Sequence, residues 1–196
     1  ALATAFEWGR LKMQASVLGY FVHEKVERFE ARPDKAVATP AFFGSFKVLK
    51  NHDLSVRAFY KRMFRMPTFN DLYYTDMGNA FLKPEYAEQF NVGLKYTRNF
   101  EKSPFMRMLD VSVDAYYNKI TDKIIAYPKG QQFRWTMLNL GEVEIKGVDA
   151  VLNALFTLGK LEVTTKFQYT YQKTIDITDP ADTYYRDQIP YIPWHS

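Results

Sequence analysis

Apolar and polar residues alternate one by one along much of the chain, most cleanly in the segment 161–172. Val163 and Phe167 belong to an apolar set of alternate positions, whereas Glu162 and Lys166 belong to the intervening polar set. Successive side chains of a β-strand point to opposite faces, so this period of two predicts a strand with one apolar and one polar face. Its twelve residues are many for a soluble strand but suit a tilted bilayer crossing, which needs about 9–11.

The same period recurs in enough segments to build a large sheet. It is clear at 11–21, 54–61, 89–96, 109–118 and 149–158, and weaker between Thr39 and Leu49, where Phe42 and Phe43 fall on opposite faces. We therefore predict an all-β chain of about seven or eight strands.

The predicted connections alternate in length along the chain. We expect short turns at 7–10, 50–53 and 158–160, a medium turn at 99–104, and long connections at 23–37, 65–86, 121–141 and 173–188. An antiparallel up-and-down β-barrel in an outer membrane has short periplasmic turns and long extracellular loops. In a soluble β-sandwich nothing restricts the long loops to one end of the strands. The alternation of short and long connections therefore favours a transmembrane β-barrel.

Aromatic residues make up 17% of the chain, with 16 Phe and 14 Tyr. Strand propensity alone would enrich them, but many lie at the long-loop ends of the predicted strands, which favours a girdle of rings at a membrane interface. The residues at these ends are Tyr20, Phe21, Phe59, Tyr60, Tyr116, Tyr117, Tyr169 and Tyr171.

Composition and motifs argue against several other classes. The chain has no cysteine, and its net charge of +4 comes from interleaved basic and acidic residues, which argues against a nucleic-acid surface. The three histidines are far apart, and neither a serine-nucleophile elbow nor a phosphate loop is present. We therefore predict that the chain is not an enzyme and has no resident cofactor. No signal segment opens it, so we expect an internal piece of a longer protein.

Two neighbouring stretches resemble a pair of motifs from one family. Phe64 to Pro67 is similar to the FRAP box, with Met66 in place of alanine. Asn79 to Glu85 is similar to the NPNL box and its Lys-Pro-Glu tail, with Ala80 in place of proline. These boxes bracket one extracellular loop of TonB-dependent outer-membrane receptors. The segments 113–125, 133–141 and 143–149 resemble the next hairpin of that family, in a Bacteroidetes subgroup often described as vitamin B12 receptors, and 187–191 resembles the start of a later strand.

The resemblance implies that residues 1–196 are part of one β-barrel domain of about 22 strands. The N-terminal plug domain and the final strands would lie outside this sequence. It also implies active transport of a scarce nutrient across the bacterial outer membrane. The implied partners are TonB with its energising inner-membrane complex, reached through the missing N-terminal part, a small nutrient ligand, and outer-membrane lipid.

The substrate is predicted from the subgroup, which favours cobalamin first, and siderophores or other metal chelates next. Heme receptors of the family carry a histidine between the two boxes, and the stretch 68–77 has none. Arg65, Lys129 and Arg134 would suit an anionic chelate. Asp71 and Asp76 are considered as oxygen ligands for calcium in the same loop.

Two sets of residues are the candidate functional positions. Large rigid aromatic side chains give binding area at small entropic cost, and the candidate ligand-binding residues of the extracellular loops are Tyr73, Tyr74, Asp76, Tyr127, Phe133 and Trp135. The polar strand faces should line the barrel lumen and meet the plug, through Arg57, Lys61, Asp110, Asp114, Lys166 and Gln168.

Two other classes remain open at this point. A soluble all-β carbohydrate-binding module would explain the aromatic residues but not the loop order, and solubility without detergent would favour it. An adhesin or passive porin barrel would lack the paired boxes, and an upstream sequence without a plug would favour it.

Overall fold

The computed structural model describes residues 1–25, 33–49, 53–129, 134–189 and 192–196. Within these ranges it contains eight strands and one short helix, which are β1 Leu2–Trp8, β2 Leu11–Val22, β3 Lys35–Lys47, β4 Asp53–Arg65, α1 Phe69–Tyr73, β5 Glu85–Asn99, β6 Met106–Lys129, β7 Arg134–Leu158 and β8 Leu161–Asp176. No helix in the described ranges is long and apolar enough to cross a bilayer.

The strands lie side by side in sequence order in one eight-stranded sheet, and each pairs antiparallel with the next. Two tight turns use left-handed glycines, Gly9 with φ +58° before β2 and Gly159 with φ +65° before β8. Glycine adopts this conformation at no steric cost. The predicted strand number and up-and-down order are therefore confirmed; residues 50–52 of the predicted turn at 50–53 lie outside the described ranges.

The strand register divides the sheet into two faces, because directly paired residues point to the same side. One row of paired residues crosses β4 to β8 with polar or small side chains: Arg57, Gly93, Asp114, Asp149 and Thr170. The adjacent row on the other face is Ala58, Val92, Ala115, Val148 and Tyr171. We call these the polar face and the apolar face.

An aromatic row crosses the apolar face at the long-loop ends of the strands. Ring centroids are 6.4 Å apart for Phe42 and Tyr60, 4.9 Å for Tyr60 and Phe90, and 6.3 Å for Phe90 and Tyr117. The girdle prediction needs a correction for three residues. Phe59 pairs with Asn91, and Tyr116 pairs with Gly147, so both lie on the polar face. Tyr20 pairs with Val37, in the same alternate set as Phe43, the partner of Phe59, so the register assigns it to that face too. Neighbours in sequence alternate between faces, so a pair such as 59–60 cannot join one girdle together.

The predicted loop 121–141 is mostly strand. β6 and β7 continue to pair well beyond the predicted strand ends, for example through Ile125 with Leu138 and Tyr127 with Thr136. Asp122 has a left-handed backbone, φ +54°, and this distortion interrupts the alternation on which the sequence prediction depended. Only residues 130–133 separate the two strands, and they lie outside the described ranges.

The chain beyond β8 runs back along the edge of that strand. The Ile189 amide donates to the Thr174 carbonyl at 2.9 Å, and the Gln172 amide donates to the Trp194 carbonyl at 2.9 Å. Ile189 also packs into a small buried cluster with Ala87, Ile120 and Val143. In the described ranges these contacts are isolated bridges rather than a ninth strand, and residues 190 and 191 lie outside those ranges, so the start of a later strand at 187–191 stays a prediction.

Candidate functional site

The β4–β5 connection, residues 66–84, is an ordered structure built around α1. Pro67 has no amide donor, which suits the point where strand pairing ends. Thr68 then caps the helix: its hydroxyl accepts from the Asp71 amide at 3.2 Å, while the Asp71 carboxylate accepts from the Thr68 amide at 2.9 Å. This reciprocal capping box satisfies two otherwise unpaired amides. At Gly78 a Cβ would lie 2.6 Å from the Tyr74 nitrogen, so only glycine fits the following turn.

Arg65 joins the two sequence boxes to each other. Its guanidinium donates to Asp71 at 3.0 Å and to Glu85 at 3.4 Å. The first partner belongs to the helix after the FRAP box, and the second ends the Lys-Pro-Glu tail. Arg65 is a predicted ligand for an anionic chelate, and in the structure its guanidinium braces the loop.

The same connection is bonded to the extended β6–β7 hairpin. The Asn139 carboxamide accepts from the Lys83 amide at 2.7 Å and donates to the Lys83 carbonyl at 3.0 Å and the Asp122 carbonyl at 2.7 Å. Glu85 accepts from the Ile124 amide at 3.1 Å. The Asn139 side chain thereby bonds both the amide and the carbonyl of Lys83, as the backbone of a neighbouring strand would. No local sequence signal indicates this role of Asn139, because its partners are distant backbone groups.

Apolar packing and one further bond complete the brace. Leu72, Leu82 and Ile124 form a buried cluster against which Tyr73 and Met137 pack. The Tyr73 hydroxyl donates to Glu24 at 3.1 Å, which links this connection to the one between β2 and β3. The ends of three hairpins therefore meet in one bonded assembly.

The candidate ligand-binding residues differ in what they present to solvent. Tyr74 is 57% exposed and Tyr127 53% exposed, and Asp76 is also exposed. Tyr73 is half-buried and engaged with Glu24. Of these three candidates in the loop, Tyr74 and Asp76 are therefore exposed to solvent, and Tyr73 has a bracing contact.

The hairpin candidates do not share one surface. Tyr127 pairs with Thr136 and Pro128 pairs with Trp135, so Tyr127 and the half-buried Trp135 lie on opposite faces of the hairpin. Phe133 lies outside the described residues. A ligand bound on one side of this hairpin can therefore contact only one of these two aromatic side chains.

The polar face carries a network of ion pairs. Arg57 forms a two-bond ion pair with Asp114, with its Nε donating to Oδ1 at 3.0 Å, across the intervening strand at Gly93. Lys95 lies 3.3 Å from Asp110, which also accepts from the Thr97 hydroxyl at 2.7 Å. The register places all six predicted lumen residues on this face: Arg57, Lys61, Asp110, Asp114, Lys166 and Gln168.

The calcium hypothesis concerns the carboxylates of Asp71 and Asp76. Asp71 already accepts from the Thr68 amide and from Arg65, so its carboxylate has a structural role in the loop. Across the described part of the chain, no group of three or more His, Asp or Glu side chains is placed to hold a metal ion. The calcium hypothesis therefore gains no geometric support from these residues.

An eight-stranded antiparallel sheet with one apolar face, one charged face and braced loops at one end belongs to the class of outer-membrane-type β-barrels. A family model described as "TonB dependent receptor-like, beta-barrel" matches residues 8–196. The chain therefore belongs to this TonB-dependent receptor β-barrel family, as the two sequence boxes predicted.

Individual relatives are similar over part of their length. The vitamin B12 transporter BtuB of Vibrio vulnificus is 34% identical over 99 residues, which are 50% of this chain and 14% of that protein. The vitamin B12 transporter BtuB of Photobacterium profundum is 34% identical over 113 residues, which are 54% of this chain and 16% of that protein. The chain thus spans about a sixth or less of these relatives.

A solved structure with the same fold is the copper transporter OprC, with a TM-score of 0.55 and 18% sequence identity. The match covers 86% of this chain and 26% of that chain. At this identity the likeness concerns the fold alone.

Proposed function

We propose that the protein imports a scarce nutrient, a cobalamin-like molecule or a metal chelate, across the bacterial outer membrane with energy delivered through TonB. The proposal includes contact with TonB and its inner-membrane complex through a part of the protein outside this sequence. It describes a transporter rather than an enzyme. Family membership supports transport, and the similarity to two vitamin B12 transporters supports cobalamin as the first substrate to test.

The observation that carries the proposal is the division of the sheet. The apolar face has three consecutive rows of paired residues without a charge from β4 to β8. These rows pass through Val111, Val113 and Ala115 of β6. Val92 is 58% exposed and Phe167 60% exposed on this face. A soluble protein rarely exposes so large a contiguous apolar surface. A bilayer covers such a face, so this feature favours a membrane barrel over a soluble carbohydrate-binding module.

The polar face would then line the lumen and contact a plug. Its paired charges, such as Arg57 with Asp114, are suited to a wet interior, where polar residues alternate with lipid-facing ones. Lys61, Lys166 and Gln168 on the same face are exposed and would be available to a plug or to passing solute. This assignment follows from the lipid assignment of the opposite face.

The braced loop offers a firm support for ligand capture. Arg65, Asp71, Glu85 and Asn139 hold the connection 66–84 against the hairpin. The loop side chains that remain exposed, Tyr74 among them, are held on a scaffold that loses little entropy when a ligand binds. Both BtuB relatives come from Vibrio or Photobacterium, so the Bacteroidetes subgroup stays a prediction.

The central experiment is uptake by living cells. The complete receptor is produced in a bacterial strain that lacks its own cobalamin receptor and grows only when cobalamin is imported. We expect growth at low cobalamin, lost when the gene for TonB is deleted. Parallel cultures limited for iron and given ferric siderophores identify a chelate substrate instead. Uptake of neither class, or uptake that does not depend on TonB, contradicts the proposal.

Two of the candidate aromatic residues, the exposed Tyr74 and the half-buried Trp135, are tested by alanine substitution in the complete receptor. Tyr74→Ala and Trp135→Ala should each weaken nutrient binding by about fivefold or more, because aromatic anchors commonly contribute over about 1 kcal/mol. Binding is measured by titration calorimetry on purified receptor. Phe105→Ala is the control, because Phe105 is 52% exposed but lies at the short-turn end. Unchanged affinity in both variants removes these residues from the site, and lost abundance in the membrane assigns them to the fold.

A further inference from the structure

Two lysines lie directly opposite each other on the apolar face. Lys146 of β7 pairs with Lys173 of β8, at the level of the aromatic row. Each ammonium lies over a ring: Lys146 Nζ is 5.4 Å from the Tyr117 centroid and Lys173 Nζ is 5.7 Å from the Trp194 centroid. Like charges directly opposite in a sheet destabilise it. An anion that bridges the two ammonium groups would remove that repulsion.

One carboxylate is close to this pair. Glu144 lies 2.7 Å from Lys146 Nζ, but an ammonium has three donors and this contact uses one. Lys146 remains 56% exposed beside Glu144. For Lys173 the described part of the chain provides no ion-pair partner within 4.0 Å. The two lysines and Glu144 together carry a net positive charge.

A groove opens on the apolar face directly beneath the lysines. Its floor consists of small side chains in one row, Val92, Ala115 and Val148, and its walls are the rings of Phe90, Tyr117 and Tyr171. The groove ends at Lys146, which lines it at the aromatic row. Its apolar floor suits a hydrocarbon chain, and the lysine end suits an anionic group.

We propose that this groove and the two lysines form a specific site for an anionic membrane lipid. The lipid phosphate would bridge the ammonium groups of Lys146 and Lys173, and an acyl chain would lie on Val92, Ala115 and Val148. The site rests on the proposed membrane location. It adds to that proposal one position at which a lipid is selected by its charge. The occupant is a membrane lipid rather than free phosphate, because the groove offers the acyl chain an apolar surface continuous with the bilayer-facing rows.

The site is tested on the complete receptor in nanodiscs that contain equal amounts of phosphatidylglycerol and phosphatidylcholine. After extraction into mild detergent, native mass spectrometry counts the lipid molecules that remain bound. We expect one phosphatidylglycerol to be retained about 25-fold more often than phosphatidylcholine, since each of the two lysines near an anionic head group contributes about a factor of five. Inorganic phosphate added at millimolar concentration should not displace it.

Two kinds of variant distinguish the contribution of the two lysine charges to lipid binding from the contribution of the apolar groove. Lys146→Gln combined with Lys173→Gln should abolish the preference for phosphatidylglycerol. Ala115→Phe keeps both lysines but fills the floor, and it should reduce retention of the lipid itself. The matched control is Lys83→Gln combined with Lys123→Gln, which removes the same charge from the loop and hairpin above the aromatic row and should leave retention unchanged.

The outcomes distinguish this site from the transport proposal. A receptor that does not insert into nanodiscs contradicts the membrane location and this site together. A receptor that inserts but retains both lipids equally, or loses selectivity as much in the control as in the lysine variant, contradicts the lipid site alone. Displacement by inorganic phosphate identifies a free-anion site and also overturns the lipid assignment.

Discussion

The absence of a side chain at Gly93 allows two charged residues on non-adjacent strands to meet. Arg57 on β4 and Asp114 on β6 both pair with Gly93 of β5, and their ion pair passes over it. A Cβ at position 93 would lie 2.1 Å from the Asp114 Oδ1 atom and 3.1 Å from the Arg57 Nε atom. The glycine is therefore required by the ion pair rather than by its own backbone conformation.

Substitution of this glycine should destabilise the sheet. Gly93→Ala is expected to lower the free energy of unfolding by about 1–3 kcal/mol, the usual cost of forcing a group into filled space. The measurement is urea-induced unfolding of the complete receptor reconstituted in lipid vesicles. Gly44→Ala is the control, because a Cβ at that strand glycine meets no atom within 4 Å. Equal effects at the two positions would show that the contact with the ion pair is not responsible.

At the level of elements, two of the long connections differ in kind. The β6–β7 connection is a paired hairpin, whereas the β4–β5 connection contains a capped helix bonded to that hairpin. The contacts of Asn139 and Glu85 with backbone groups join the two without adding a strand. Few of these bonds are deep in the sheet, so we expect the connection to open locally before the strands separate.

Removal of the Asn139 carboxamide should release this connection. In Asn139→Ala the Lys83 amide loses its acceptor, and we expect its hydrogen exchange to accelerate about tenfold, which corresponds to about 1.4 kcal/mol. Hydrogen–deuterium exchange with mass spectrometry on peptides from 66–84 measures the change. Asn118→Ala in the same hairpin, lower in β6, serves as the matched control. Unchanged protection in the Asn139 variant would mean that apolar packing alone holds the loop.

For the whole molecule, a charged substitution should be costly on the apolar face of the sheet and tolerated on the polar face. The charge-free rows of the apolar face have Arg98 at the level below and Lys146 with Lys173 at the level above. From Leu109 to Tyr117 these levels are eight residues apart, roughly 26 Å along a strand. A strand tilted by about 40° then spans roughly 20 Å of bilayer, close to the apolar band of such barrels.

Adjacent residues on β6 test this arrangement. Val111→Arg places a charge on the apolar face near its middle and should cost about 2–4 kcal/mol of folding free energy in liposomes. Ser112→Arg, one residue further on the polar face, should cost much less because the side chain meets water. The yield of folded receptor and its urea midpoint are compared for the two variants. Similar losses in both would contradict a membrane barrel.

The sequence determined most of the strands, their order and their faces, because those depend on local properties. A period of two specifies which side chains share a face, and Gly9 and Gly159 mark tight turns through backbone freedom. The boxes around the 66–84 connection identified the family for the same local reason, since each is contiguous. The capping box of Thr68 and Asp71 is local in the same way.

Only the tertiary structure decided how distant residues combine, because register brings together positions that no local pattern relates. It placed Gly93 beneath an ion pair, set Tyr127 and Trp135 on opposite sides of a hairpin, and gave Asn139 its backbone partners. It also extended β6 and β7 through a stretch whose alternation Asp122 interrupts, since backbone pairing continues where the side-chain pattern fails. Strands pair through backbone hydrogen bonds, which do not depend on which side chains they carry. Which side chains then meet depends on the register of the strands as much as on the residue types present.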